Sequence, residues 1–393
     1  MFSMTKSHKA KIKRMLYISR GNIPSRAANA LQTMKMASAF SKIISDFKLV
    51  VNVSIFNLID SRKRFDIFDF YNIEKMKLSK LPCSFNRKIF FPANYGSRLY
   101  ANLSSLFARF QRSDVVYVRN LVIAKRCLRL GLNVVLEHHN ELPEKHAHSK
   151  EFSSPNFLGC ITISHRLRNS YISKGMSSER IIVEQDGVTV SDYKIKENKS
   201  NIRKNLNLPI DKYIFTYSGH LHDFKGIPLI LEAAKEFEDD LFLLIGGWGH
   251  DIKQLKIECK KQAINNVISY GYVPPKLVPK LLFASDLLLL PVSAKHKWSK
   301  DTSPLKLFEY MASGRPIVAS NLDNISKVLK NETNALLFKP DSVEDFKEKI
   351  LFAKENKETM SKIASQAQLD VMYYDWSNRA KRITEFIEDR LRS

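Results

Sequence analysis

Within DTSPLKLFEYMASGRPIVAS (301–320), one acid, Asp301, is separated by seven residues from another, Glu309. Glu309 stands among Leu305, Leu307, Phe308, Tyr310, Met311 and Ala312. A carboxylate in such company is costly unless hydrogen-bond donors reach it. The vicinal hydroxyls of a ribose supply two. A distant lysine or arginine would also serve, and spacing alone leaves both open. Ser303 and Pro304 have the types of a helix cap and a first helical residue. The free N–H groups of such a helix start, through Leu305, suit a diphosphate. Asp301, just before the cap, is placed to accept bonds from the hydroxyls of a sugar.

The elements that must hold these residues follow from the flanking pattern. DLLLLP (286–291) is a short apolar run, as expected of a strand buried on both faces. Gly314 ends the helix, and PIVA (316–319) is the next buried strand. The polar loop before Ser303 then lies at the carboxyl end of a parallel strand, the edge where open α/β sheets bind ligands. Elsewhere strands at 15–19, 49–56, 114–118, 133–137, 158–164 and 181–184 alternate with helices. So do strands at 213–218, 241–245, 267–270 and 335–338, and that alternation predicts doubly wound parallel sheets. The Lys/Asn-rich stretch 191–210 is expected to be a linker between two domains, 1–195 and 196–375, with a closing helix over 376–393. Residues 60–95 are rich in aromatic and basic types and fit no single element. On their own they read as a partly buried loop region.

The pattern of an acid, seven residues, a glutamate, a small-residue helix and Gly-x-Pro resembles the donor-site motif of the retaining glycosyltransferases of family 4. Asp301 stands where that family usually has Glu. The resemblance covers most of the chain. It implies the GT-B fold, two Rossmann-like domains facing a cleft, with the closing helix crossing back to the first domain. It implies that Asp301 touches the transferred sugar, that Ser303, Pro304 and Leu305 hold the diphosphate, and that Glu309 holds the ribose. In GHLHDFKG (219–226), Lys225 matches the family's phosphate-binding lysine and His220 replaces an arginine, so Lys225 or one of Lys297, Lys300 and Lys306 must make up the charge. The turn at Tyr272 and Val273 corresponds to the nucleobase site. Gly21 is what remains of a glycine-rich loop after the first strand. In EHHNELPEKHAH (137–148), His139 takes the place of the histidine that faces the sugar. Metal binding by His138, His146 and His148 is the alternative, without the helical His/carboxylate spacing of a zinc enzyme.

The bulk numbers agree with a two-domain enzyme. The chain has 393 residues, a formal net charge of +23 and four widely separated cysteines without a C-x-x-C pair, which points to a reducing compartment. No apolar run has the length of a membrane span. A positive field of this size attracts polyanions, and an anionic membrane face is favoured over nucleic acid, for which no recognition element is present. The expectation is a metal-independent, cofactor-free hexosyltransferase, cytoplasmic or peripheral at the inner membrane face. It would move sugar from a nucleoside-diphosphate donor to a saccharide or lipid-linked acceptor in surface polysaccharide or lipopolysaccharide biosynthesis. A sugar-nucleotide epimerase and a non-catalytic glycan-pathway partner of the same fold are the rivals.

Overall fold

The computed structural model describes residues 11–54, 66–84, 95–296, 299 and 303–392. They form two compact units, Met1–Gln185 together with Trp376–Ser393, and Asp186–Asp375. Each is an α/β unit around one parallel sheet.

In the first unit the strands are β1 (Arg14–Asn22), β2 (Asp46–Ser54), β3 (Leu78–Ser84), β4 (Val115–Val118), β5 (Val134–Glu137), β6 (Phe157–Thr162) and β7 (Ile181–Val183), in the order β3-β2-β1-β4-β5-β6-β7. The second unit has β8 (Ile214–Ser218), β9 (Leu241–Ile245), β10 (Val267–Gly271), β11 (Leu287–Leu290), β12 (Ile317–Ser320) and β13 (Leu336–Phe338), in the order β10-β9-β8-β11-β12-β13. The pairings in both sheets are parallel. Strand order reverses between β1 and β4 in one sheet and between β8 and β11 in the other, so each has a switch point with an open carboxyl edge.

Burial explains the apolar runs. Leu287, Leu288, Leu289 and Leu290 are all 0% exposed, because helices cover both faces of β11. Each such leucine contributes about 1.5–3 kcal/mol of burial. The 191–210 stretch is not a free linker. It carries the helix Lys199–Asn205, and Arg203 donates from Nε to the Ala284 carbonyl at 2.9 Å and from Nη2 to Asp286 at 2.6 Å. Asn201, Lys204 and Asn205 form the exposed side of the helix, while Lys199 pairs with Asp286. The division falls at Gln185/Asp186, ahead of the boundary expected at 195. Residues 60–95, left unplaced by the sequence, include the helix Ile67–Tyr71 and the edge strand β3. β3 contains Pro82, which an edge tolerates and which hides a strand from pattern reading. No helix among the described residues is long and apolar enough to cross a membrane.

Candidate functional site

The carboxyl edge between β8 and β11 collects most of the residues singled out above. The loop after β8 runs from Gly219 through a single turn, Asp223–Lys225, to Gly226, which opens the helix Ile227–Glu236. Gly226 has φ 84°, and a Cβ there would lie 1.8 Å from the carbonyl oxygen of Pro291, just beyond β11. Only glycine lets the two loops approach this closely. They are also stitched by the Ser293 N–H donating to the Phe224 carbonyl at 3.1 Å.

The helix after β11 is Leu305–Ser313, with Pro304 at its cap position and Gly314 at φ 66° ending it. Ser303 is not the cap. Its hydroxyl oxygen accepts from the Asp186 N–H at 3.0 Å instead, and Pro304 supplies the carbonyl that takes the Leu307 N–H at 2.9 Å. The proline is displaced by one position because a helix start needs only an acceptor carbonyl and an extended residue, which Pro304 provides at ψ 117°. Ser303 therefore holds the loop, and the first-turn N–H groups of Leu305 and Lys306 have no intrahelical acceptor. Tyr310, fully buried, fixes the helix to the sheet. Its hydroxyl accepts from the Ser218 N–H at 2.7 Å and donates to the Leu289 carbonyl at 3.3 Å.

Lys225, Lys306, His220 and Glu309 lie within electrostatic reach of one another. Lys225 is half-buried, and that burial lowers its pKa. Burial holds the Lys306 amine well below its ordinary value, Lys225 lowers it further, and Glu309 opposes both. His220 is held below the ordinary imidazole value by burial and then by His222, so it brings little charge near neutral pH. The carboxylate of Glu309 is half-buried rather than enclosed in the apolar core.

Tyr272 and Val273 follow β10 on the same edge. Val273 is 8% exposed and packs in the core of this unit, so it offers a ligand only its backbone. Trp248, His220, His222, Phe224 and His296 stack in a column with ring planes 17–28° apart and centroids 4.2–6.2 Å apart. His220, His222 and Asp251 bring ligand atoms within 4.8 Å of one another, a group that could hold a divalent cation. Among the described residues, His138, His146 and His148 form no such group.

In the first unit, His138 and His139 point apart, as adjacent residues in an extended chain do. His138 Nδ1 meets the buried Tyr171 hydroxyl. His139 Nδ1 accepts from Arg119 Nη2 at 3.1 Å, and its Nε2–H donates to Glu137 Oε1 at 2.8 Å. Glu137, 0% exposed, also receives Arg379 Nη2 at 2.7 Å, the Tyr117 hydroxyl at 2.7 Å and Gln32 Nε2 at 2.9 Å. Burial pushes the Glu137 carboxyl up. Arg379, Arg119 and His139 outweigh that and hold it well below its usual range. Gly21 ends up inside β1, and a Cβ there would meet nothing within 4 Å, so local packing does not demand glycine.

Asp301, Lys297 and Lys300 lie outside the described residues. Lys306 entered the sequence reading only as one of three substitutes for an arginine. Its signal was a lone cation between Leu305 and Leu307 in an otherwise apolar helix start. The positioning roles of Tyr217 and Tyr310 gave no signal, because buried tyrosines read as core.

Residues 198–370 match the family model for glycosyl transferases group 1. The chain is 25% identical over 250 residues to an uncharacterised glycosyltransferase, MJ1607, of Methanocaldococcus jannaschii, covering 60% of this chain and 62% of that one. It is 22% identical to the lipopolysaccharide 1,2-N-acetylglucosaminetransferase of Salmonella typhimurium, covering 70% of this chain and 72% of that one. The chain thus spans about three fifths of the first relative's length. The crystal structure of Anabaena Alr3699/HepE in complex with UDP and glucose superposes with a TM-score of 0.70 at 17% identity, over 95% of this chain and 98% of that one, and shows the same fold. The match covers nearly all of the second unit, which resembles a group 1 glycosyltransferase domain, and both units have the parallel-sheet architecture seen in the solved GT-B glycosyltransferases.

Proposed function

We propose that the second unit binds a nucleoside-diphosphate sugar at the β8/β11 edge and that the chain transfers this sugar to a saccharide or lipid-linked acceptor. The observation that carries the reading is the convergence of Lys225, Lys306 and Glu309 on a switch-point edge bounded by a helix start. Two cations and free N–H groups offset the charge of a leaving diphosphate, a stabilisation that needs no metal. Glu309 is assigned to the ribose, the backbone at Tyr272 and Val273 to the base, and Asp301 to the hydroxyls of the sugar. Among the described residues of this edge, no side chain is assigned as a nucleophile. The reaction is therefore assigned as a front-face displacement with retention, the departing phosphate oxygen taking the acceptor's proton.

The acceptor is assigned to a bacterial surface glycan, in keeping with the lipopolysaccharide-type activity in the name of the Salmonella relative. The protein is assigned to the cytoplasmic side of the membrane. On the helix Tyr95–Gln111, Leu103, Leu106 and Phe110 are exposed, 41%, 49% and 73%, and Arg98 and Arg109 flank them. That combination, on a chain of net charge +23, suits an anionic lipid surface.

The test is a ligand-detected NMR screen of nucleoside-diphosphate sugars against the full chain, followed by product analysis with and without acceptor and with EDTA. Donor binding and EDTA-resistant, acceptor-dependent glycoside with retained configuration are expected. Binding without transfer would assign a non-catalytic partner. An epimerised sugar nucleotide formed without acceptor would assign an epimerase.

A further inference from the structure

Lys306 is a costly side chain to keep charged in the second unit. Its Nζ is buried and has no hydrogen-bond acceptor among the described residues. The Nζ sits 3.8 Å from the centroid of the Tyr217 ring. It also abuts the backbone of Gly219, where an added Cβ would lie 2.7 Å from it. Gly219 has φ 140°, a conformation that disfavours a side chain, so the loop leaves this space to the lysine. The Tyr217 hydroxyl donates to the His220 carbonyl at 2.7 Å and so shapes the loop.

A buried ammonium without an acceptor is expensive. The ring face of Tyr217 recovers part of that cost. Among the described residues, the charged and titratable groups around it are Glu309 on its own helix, Tyr217 on β8, and His220 and Lys225 on the loop that follows. Tyr193, from the turn Val190–Tyr193, faces Glu309 and is held neutral by burial. The helices 278–284 and 357–370 and the turn 371–374 meet the Lys306 helix through the core residues Leu281, Leu282, Ala367 and Val371. Against one carboxylate stand two amines, so the empty site disfavours the second positive charge. A ligand carrying two or more negative charges reverses that balance, since both amines then gain a partner.

We propose that Lys306 is the cation that receives the donor's phosphates, doing the work that His220 cannot, and that it takes a proton from solvent as the diphosphate docks. The inference rests on the donor-site reading above. The balance is simple. In the proposed step an unprotonated Nζ takes one proton from the buffer as the diphosphate docks and becomes an ammonium paired with phosphate. Uptake is confined to pH values above the amine's pKa in the empty site and below its pKa in the complex. The phosphate raises the latter, because an opposite charge nearby favours the charged form.

The experiment is calorimetric titration of the full chain with UDP, ADP and GDP at about pH 8, where the terminal phosphate is already deprotonated, in Tris and in HEPES. These buffers differ in ionisation enthalpy. For wild type, the apparent enthalpy should differ between buffers by an amount that corresponds to a fraction of a proton approaching one. K306M should bind the same nucleotide about 10- to 100-fold more weakly, with no difference between buffers, while binding of the parent nucleoside is unchanged. K306R, which cannot lose its charge, should retain affinity yet show no uptake, and it decides the matter if K306M fails to fold by thermal melting. Equal enthalpies in both buffers for wild type at every pH between about 6 and 9 overturn the proton capture. Wild-type nucleotide affinity in K306M overturns the phosphate role. If none of the three nucleotides binds, the donor-site reading falls and this inference with it.

Discussion

Replacing Glu309 by glutamine isolates the ribose contact. The side chain is half-buried, and the next residue, Tyr310, is tied to Ser218 at 2.7 Å and to Leu289 at 3.3 Å. The backbone beneath position 309 therefore stays in place, and the amide keeps the shape of the carboxylate. Hydrogen bonds to a charged acceptor contribute about 1.5–3 kcal/mol, against about 0.5–1.5 kcal/mol for neutral pairs. Losing the charge for two ribose hydroxyls should cost about 1–3 kcal/mol, or roughly 5- to 150-fold in affinity. A second effect has the opposite sign. Removing a negative charge beside Lys225 and Lys306 makes the edge more attractive to any anion. The clean readout is therefore a cycle of wild type and E309Q against a ribonucleoside diphosphate and its 2′,3′-dideoxy analogue, measured by calorimetry. E309Q should weaken the ribonucleotide and leave the dideoxy nucleotide unchanged or slightly tighter, with an unaltered melting temperature. Equal losses for both ligands would refute the ribose assignment. They would leave Glu309 as a partner of the lysines only.

Lys225→Ala should weaken diphosphate nucleotides by about tenfold or more and the nucleosides little, and an equal loss for both would remove Lys225 from the phosphate site. Arg379→Met strands Glu137 in the first unit, where both partners are 0–1% exposed. Breaking such a pair costs about 3–5 kcal/mol. The lower end is expected in urea unfolding because Tyr117, Gln32 and His139 still donate to the carboxylate. The pH dependence has a defined sign. The Glu137 carboxyl is depressed in the folded wild type, so its stabilisation is full above the unfolded carboxyl pKa and is lost as pH falls through the folded value. Without Arg379 that carboxyl protonates at higher pH, and the deficit of the variant should narrow on acidification. A deficit that stays constant down to strongly acidic pH would place the stability elsewhere.

Much of the architecture was legible in the chain because buried parallel strands write themselves as apolar runs. LFLLI at 241–245 and the helix His165–Ser173 have the bounds that the pattern predicts. β3 was missed because an edge strand lacks that signature. The 191–210 stretch was misread because a helix packed by one arginine exposes an otherwise linker-like composition. At the candidate site, Glu309 stood out as a carboxylate in an apolar helix, and the motif resemblance pointed to Lys225 and His220, because motif spacing survives in the linear order. Spacing also suggested that Ser303 caps the helix, and the fold gave that hydroxyl to the Asp186 N–H instead.

Sequence alone determined which stretches form strands and helices and where a diphosphate-sized anion would be sought, since periodicity, caps and glycines act locally. Only the tertiary structure decided that the amine of Lys306 lies buried over the Tyr217 ring with no acceptor among the described residues, and that His139 is clasped between Arg119 and the buried Glu137. Those outcomes depend on which side chains reach one point from distant segments. Desolvation and charge balance there are properties of the neighbourhood, which no single stretch of chain specifies.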